Sequence, residues 1–98
     1  MLKTFLLGFI KIHILHHALK GPVYGLWLIE ELRSHGYTMS PGTLYPILHS
    51  LEEEGLLKSK EVLVEGKIRR NYVTTPKGRR AFGETKKKIG ELVDEVMK

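Results

Sequence analysis

Cysteine is absent from these 98 residues, which excludes disulfides and thiolate metal sites and makes a reducing cytoplasm the natural setting. Long hydrophobic runs are absent too. The apolar run from Phe5 to Ile10 is too short to span a bilayer, and Lys11, His13, His16 and His17 follow it. No small-residue cleavage pattern follows a hydrophobic region of adequate length, so a targeting segment is excluded and a soluble, membrane-free protein is expected. There is no internal repeat, low-complexity tract or Pro/Gly-rich linker to divide the chain. No nucleophile–base pair, phosphate loop or carboxylate pair at useful spacing occurs, which argues against an enzyme and against a cofactor. Acidic residues are the minority, 11 against 16 Lys and Arg, for a formal charge of +5. That balance favours a polyanionic partner.

What is present supports one small domain. Hydrophobic residues make up 42% of the chain, enough for folding, although so small a core commonly relies on oligomerisation. Phe5, Leu6, Phe9, Ile10, Ile12, His13, Leu15 and His16 form a helix that is apolar on more than one side, ending at Lys20-Gly21-Pro22. Such a helix is expected to be covered by its own domain on one side and by a partner chain on the other. Tyr24 to His35 is a second helix, with Leu28, Ile29 and Leu32 inward, Glu30, Glu31 and Arg33 outward, and Gly36 as its stop.

A third helix lies between Ser40 and Glu54. Ser40 is a good N-cap and Pro41 suits the first turn. Leu44, Ile47, Leu48 and Leu51 recur at core spacing. Pro46 cannot donate to a carbonyl, so the helix either kinks there or starts nearer Thr43. From Lys58 to Thr75 the period changes to two: Val62 and Val64, a Glu65-Gly66 turn, then Ile68, Tyr72 and Val73, which together read as a hairpin. Thr75-Pro76 opens a last helix whose Phe82, Ile89 and Val96 stand seven apart, with Leu92 and Val93 beside them. That narrow stripe suits packing on another helix. The fold class is therefore mainly α with a small β-hairpin. A helical unit with a hairpin occupies 1–75, and a C-terminal helix, 76–98, completes a single compact unit.

Three motifs, in this order, resemble the PadR family of winged-helix transcriptional regulators. They are Gly21-Pro22-Val23-Tyr24-Gly25; Ser40-Pro41-Gly42-Thr43-Leu44-Tyr45-Pro46, continuing to Leu51-Glu52-Glu53-Glu54-Gly55-Leu56; and Gly66-Lys67-Ile68-Arg69-Arg70-Asn71-Tyr72 with Thr75-Pro76-Lys77-Gly78 behind it. The resemblance runs from Ile14 to about Phe82. It implies a winged helix-turn-helix domain plus a C-terminal dimerisation helix, in a homodimeric, repressor-like protein. Helix three would enter the major groove of double-stranded DNA, the wing would touch the backbone, and the dimer would form through the last helix and helix one. A single C-terminal helix is similar to the family's short-tailed branch. The chain departs from the family at Leu26, where an aromatic residue is common after the motif glycine; here Tyr24 precedes it.

Charge and polarity independently favour the same partner. Between Lys67 and Lys88 nine basic residues face one acid, Glu84. Lys67, Arg69 and Arg70 of the hairpin are the candidate backbone contacts, whereas Lys86 to Lys88 read as a solvated helix face. On helix three, Ser40, Gly42, Thr43, Tyr45, Pro46 and His49 fall outside the apolar stripe. The amides at a helix N-terminus attract phosphate, and the three acids Glu52 to Glu54 at the other end would repel it. No Lys or Arg lies between Ser40 and Leu57, so bidentate reading of guanine from this helix is excluded, and specificity falls to Thr43, Pro46, His49, the wing or DNA shape. Phe5, Phe9, Phe82, Ile89, Leu92, Val93 and Val96 are the candidate dimerisation residues. Trp27, the one tryptophan, is expected in the core. His13, His16 and His17 have helical spacing, but no carboxylate or cysteine stands near them in sequence, so no metal site is assigned. Two alternatives remain: a winged-helix module that binds protein, and a sensor responding to a metal or a small-molecule effector.

Overall fold

The computed structural model describes residues 1–98. Its element order is α1 (Leu2–Lys20), α2 (Gly25–Ser34), α3 (Pro41–Glu53), β1 (Leu57–Val64), β2 (Lys67–Thr74) and α4 (Pro76–Val96). One cluster of thirteen buried residues forms the core. It takes Ile10, Ile14, Leu15 and Ala18 from α1, Leu28, Ile29 and Leu32 from α2, and Leu44, Leu48 and Leu51 from α3, with Val23, Leu57 and Tyr72 beside them. Ile47 packs at its margin. No helix is long and apolar enough to cross a membrane.

Helices α2 and α3 end in the same way. Gly36 (φ 88°) and Gly55 (φ 78°) adopt the left-handed conformation that favours glycine. The following amides, of Tyr37 and Leu56, reach back to the carbonyls of Leu32 and Leu51. This Schellman closure lets each chain reverse while satisfying carbonyls that the helix leaves open. Helix α3 begins at Pro41, not near Thr43, and runs through Pro46 without stopping. Pro46 removes a hydrogen bond to the carbonyl of Gly42, in the exposed first turn where that carbonyl can turn to water.

Strands β1 and β2 pair antiparallel from Leu57↔Thr74 to Val64↔Lys67. Glu65 (φ 49°) and Gly66 (φ 78°) both sit in the left-handed region, as a two-residue hairpin turn requires. Only the base of the hairpin enters the core, through Leu57 and Tyr72, and Val23 is bridged to Tyr72 by hydrogen bonds of 3.0 and 2.8 Å. Burial raises the Tyr72 hydroxyl pKa, Arg70 opposing the shift in part. Ile68 does not resume a core face. It and its cross-strand partner Leu63 are more than 70% exposed, because the wing extends past the domain.

The start of α4 is riveted to the end of α3. The Thr75 hydroxyl donates to the Gly55 carbonyl at 2.5 Å and accepts from the Gly78 amide at 3.0 Å. The Thr75 amide donates to the Leu56 carbonyl at 3.1 Å, and Lys77 Nζ donates to the Glu54 carbonyl at 2.8 Å. Beyond Phe82 the helix runs away from the core, giving a molecule of 53 × 28 × 20 Å.

Candidate DNA-binding face

Burying Leu44, Leu48 and Leu51 turns the opposite side of α3 outward. Ser40, Gly42, Thr43, Tyr45, Pro46 and His49 are all exposed. Ser40 occupies the N-cap position with extended backbone, yet its side chain makes no capping bond. Its carbonyl accepts from the Thr43 and Leu44 amides, and its Oγ lies 3.4 Å from Thr43 Oγ1. Both hydroxyls therefore face solvent, at a helix end that carries partial positive charge. His49, at the far flank, places Nε2 3.0 Å from Glu53 Oε1. With both side chains so open to water, that pair adds little stability.

The first and second motifs meet at Gly25 and Tyr45. A Cβ built on Gly25 would overlap the Tyr45 hydroxyl, so the absence of a side chain lets Tyr45 lie across the first turn of α2. Tyr45 remains 45% exposed. Beside it, Tyr24 holds the N-cap position of α2 without a side-chain cap bond. The Arg69 guanidinium lies 3.8 Å from the centre of the Tyr24 ring, a cation–π contact that keeps the charge beside the free α2 amides. Tyr24, Gly25, Tyr45, Lys67 and Arg69 thus line one cleft of about 410 Å³ between α2, α3 and the wing. The Tyr24–Arg69 contact was not legible in the sequence: the two lie far apart along the chain and no spacing rule joins them.

The wing's basic residues are not equivalent. Arg70 donates to Glu61 Oε1 at 2.8 Å and to Ser59 Oγ at 2.9 Å. Ser59 in turn donates to Glu52 from its amide at 3.2 Å and its hydroxyl at 2.7 Å. Arg70 is therefore engaged in bracing the wing against α3. Lys67 and Arg69 form no ion pair and are free to neutralise phosphate.

Of the apolar residues read as dimerising, Phe5, Phe9, Ile89, Leu92, Val93 and Val96 are exposed along the free half of α1 and the free part of α4. Phe82 departs from that set. It packs against this chain's own core, with its ring stacked on His16 at 5.9 Å between centroids. Trp27 is not a core residue: it is 37% exposed, and its ring meets His17 edge-on at 5.2 Å. Its neighbours Leu28 and Ile29 fill the core positions on α2.

Comparison with known proteins agrees with this architecture. Residues 14–84 match the family described as Transcriptional regulator PadR-like family. Over 88 residues the chain is 51% identical to Transcriptional regulator Rv3488 of Mycobacterium tuberculosis, covering 90% of this chain and 82% of that protein. A PadR-like transcription factor from Bacteroides fragilis superposes with a TM-score of 0.84 at 29% identity, over 96% of this chain and 92% of that one. A PadR-family regulator from Eggerthella lenta superposes at 0.78 with 31% identity, over 97% and 88%. The chain belongs to the PadR-like family of transcriptional regulators, which are not enzymes.

Proposed function

From this membership we propose a sequence-specific DNA-binding regulator that acts as a homodimer and represses by occupying promoter DNA in the cytoplasm. The carrying observation is the cleft itself. Tyr24, the ring of Tyr45 on α3 and the unpaired charges of Lys67 and Arg69 line it, and the first turn of α3 is exposed. In this reading α3 enters the major groove N-terminus first, and Lys67 and Arg69 take the flanking phosphates. Thr43 and Pro46 meet thymine methyl groups, while groove shape supplies the discrimination that no arginine on α3 can. The homodimer is favoured because the core is small and because α1 and α4 each leave an apolar face uncovered.

The test is the salt dependence of binding. Each phosphate neutralised contributes about 0.9 to the slope of log K against log salt. Lys67→Ala/Arg69→Ala should therefore weaken binding to every sequence and lower the slope by about 2, whereas Arg70→Ala, already paired within the wing, should change it far less. An unaltered slope in the double variant would remove the wing from the interface. Absence of any salt-sensitive DNA affinity would point to a protein-binding module, which the lack of Lys or Arg from Ser40 to Leu57 permits.

A further inference from the structure

Where α1 passes α2, the fold gathers side chains that DNA recognition leaves unused. His13 and His17 stand one turn apart on α1, and His35, the C-cap of α2, follows Glu31 of that helix by four residues. Residues four apart share a helix face, so two such pairs can approach one another. The three histidines gather together, and Glu31 meets two of them. His17 Nε2 lies 3.3 Å from Glu31 Oε1, and His35 Nε2 lies 3.4 Å from the same oxygen. The His13 ring stacks on that of His35 at 4.4 Å between centroids. One donor nitrogen from each of His13, His17 and His35 falls within 4.8 Å of the others. His16 takes no part, being turned onto Phe82.

We propose that His13, His17, His35 and Glu31 form a site for one divalent transition-metal ion of the zinc class, which pins α1 to α2. Three imidazoles and one carboxylate are the donors that zinc, cobalt or nickel accept. They are too nitrogen-rich for calcium or magnesium and lack the sulfur that copper(I) selects. The spacing agrees. Zinc–nitrogen and zinc–oxygen bonds of about 2.0–2.1 Å place tetrahedral ligands about 3.3–3.4 Å apart, which is the separation of Glu31 from His17 and His35. His35 is exposed and leaves a path from solvent; Tyr37 and Trp27 close the sides with ring edges on His13 and His17.

The consequence follows from which helices are joined. The free half of α1 carries the face assigned above to a second copy, and α2 packs on α3. An ion here would set the angle between the dimer face and the DNA-facing helix. That consequence rests on the proposed function, whereas the site itself does not.

Zinc chloride, and separately cobalt chloride, is titrated into the untagged, metal-free full chain and followed by calorimetry, melting temperature and Trp27 fluorescence. The expected result is one ion per chain, a melting temperature that climbs with zinc, the visible absorption of tetrahedral cobalt, and quenching of Trp27 by cobalt. His17→Ala and His35→Ala should each lower affinity at least about tenfold, the lower bound for disturbing even an outer-shell partner. His16→Ala should leave it unchanged. His35 lies exposed at the end of α2, so its variant should melt like the parent without metal, which separates lost binding from lost folding. No saturable binding of either ion, or equal affinity in the parent, His17→Ala and His35→Ala, would overturn the site.

Discussion

Replacing Leu92 and Val96 by aspartate is expected to make the protein monomeric and to abolish its binding to a two-half-site operator. Both side chains are more than half exposed on α4, so the change adds little strain to the domain itself. In the proposed dimer each would be buried twice, once per copy. Burying such a side chain contributes about 1.5 kcal/mol or more. Four lost burials come to about 6 kcal/mol, or roughly four orders of magnitude in dimer dissociation. The unpaired carboxylates add further cost. DNA affinity should then fall by about 10²–10⁴, because two linked half-site contacts become independent ones. Sedimentation should show a single-chain species, with helix content retained. A variant that remains dimeric would move the interface away from α4.

The second large effect is structural. Gly78→Val should lower the melting temperature by about 15–25 °C, or leave no cooperative transition. A Cβ at this position would overlap the Leu56 carbonyl and press on the Thr74 methyl, both fixed by the joint that ties α3 to α4. Neither can yield without breaking the Thr75–Leu56 and Gly78–Thr75 hydrogen bonds. Overpacking of this kind with loss of a buried hydrogen-bonded joint costs about 3–4 kcal/mol. For a domain of this size each kcal/mol is worth about 4–8 °C. Gly83→Ala provides the contrast. Nothing lies within 4 Å of a Cβ there, and alanine favours the helix by up to about 1 kcal/mol, so its melting temperature should rise. Equal melting of the two variants would mean that the α3–α4 joint does not hold the domain together.

Local signals were read correctly where one short segment decides the outcome. Gly36 and Gly55 stop their helices, Glu65-Gly66 turns the hairpin, and Leu44, Leu48 and Leu51 face inward because helical period leaves them no alternative. The exposed face of α3, and with it Ser40, Thr43, Tyr45 and His49, followed from the same period. Readings that depended on distant partners fared differently. Trp27 looked like a core residue by type, but the adjacent Leu28 and Ile29 already fill the core, and its ring meets His17 instead. Phe82 fits a seven-residue stripe, yet it sits where α4 is still docked on its own domain. For Arg70, a candidate backbone contact, the sequence does not show the bonds to Glu61 and Ser59 across the strands. The histidines seemed to lack a carboxylate because the nearest one, Glu31, comes from the next helix. The paired four-residue spacings His13–His17 and Glu31–His35 on consecutive helices were the signal that was available.

The most direct test of the regulator assignment is selection of bound fragments from the source organism's own genomic DNA at two salt concentrations. Sequence-specific binding by a dimer predicts that a few fragments survive the higher salt and share an inverted repeat, its half-sites protected where α3 would enter the major groove. Recovery of every fragment at low salt and none at high salt would contradict specific recognition and leave only a basic surface that binds any polyanion.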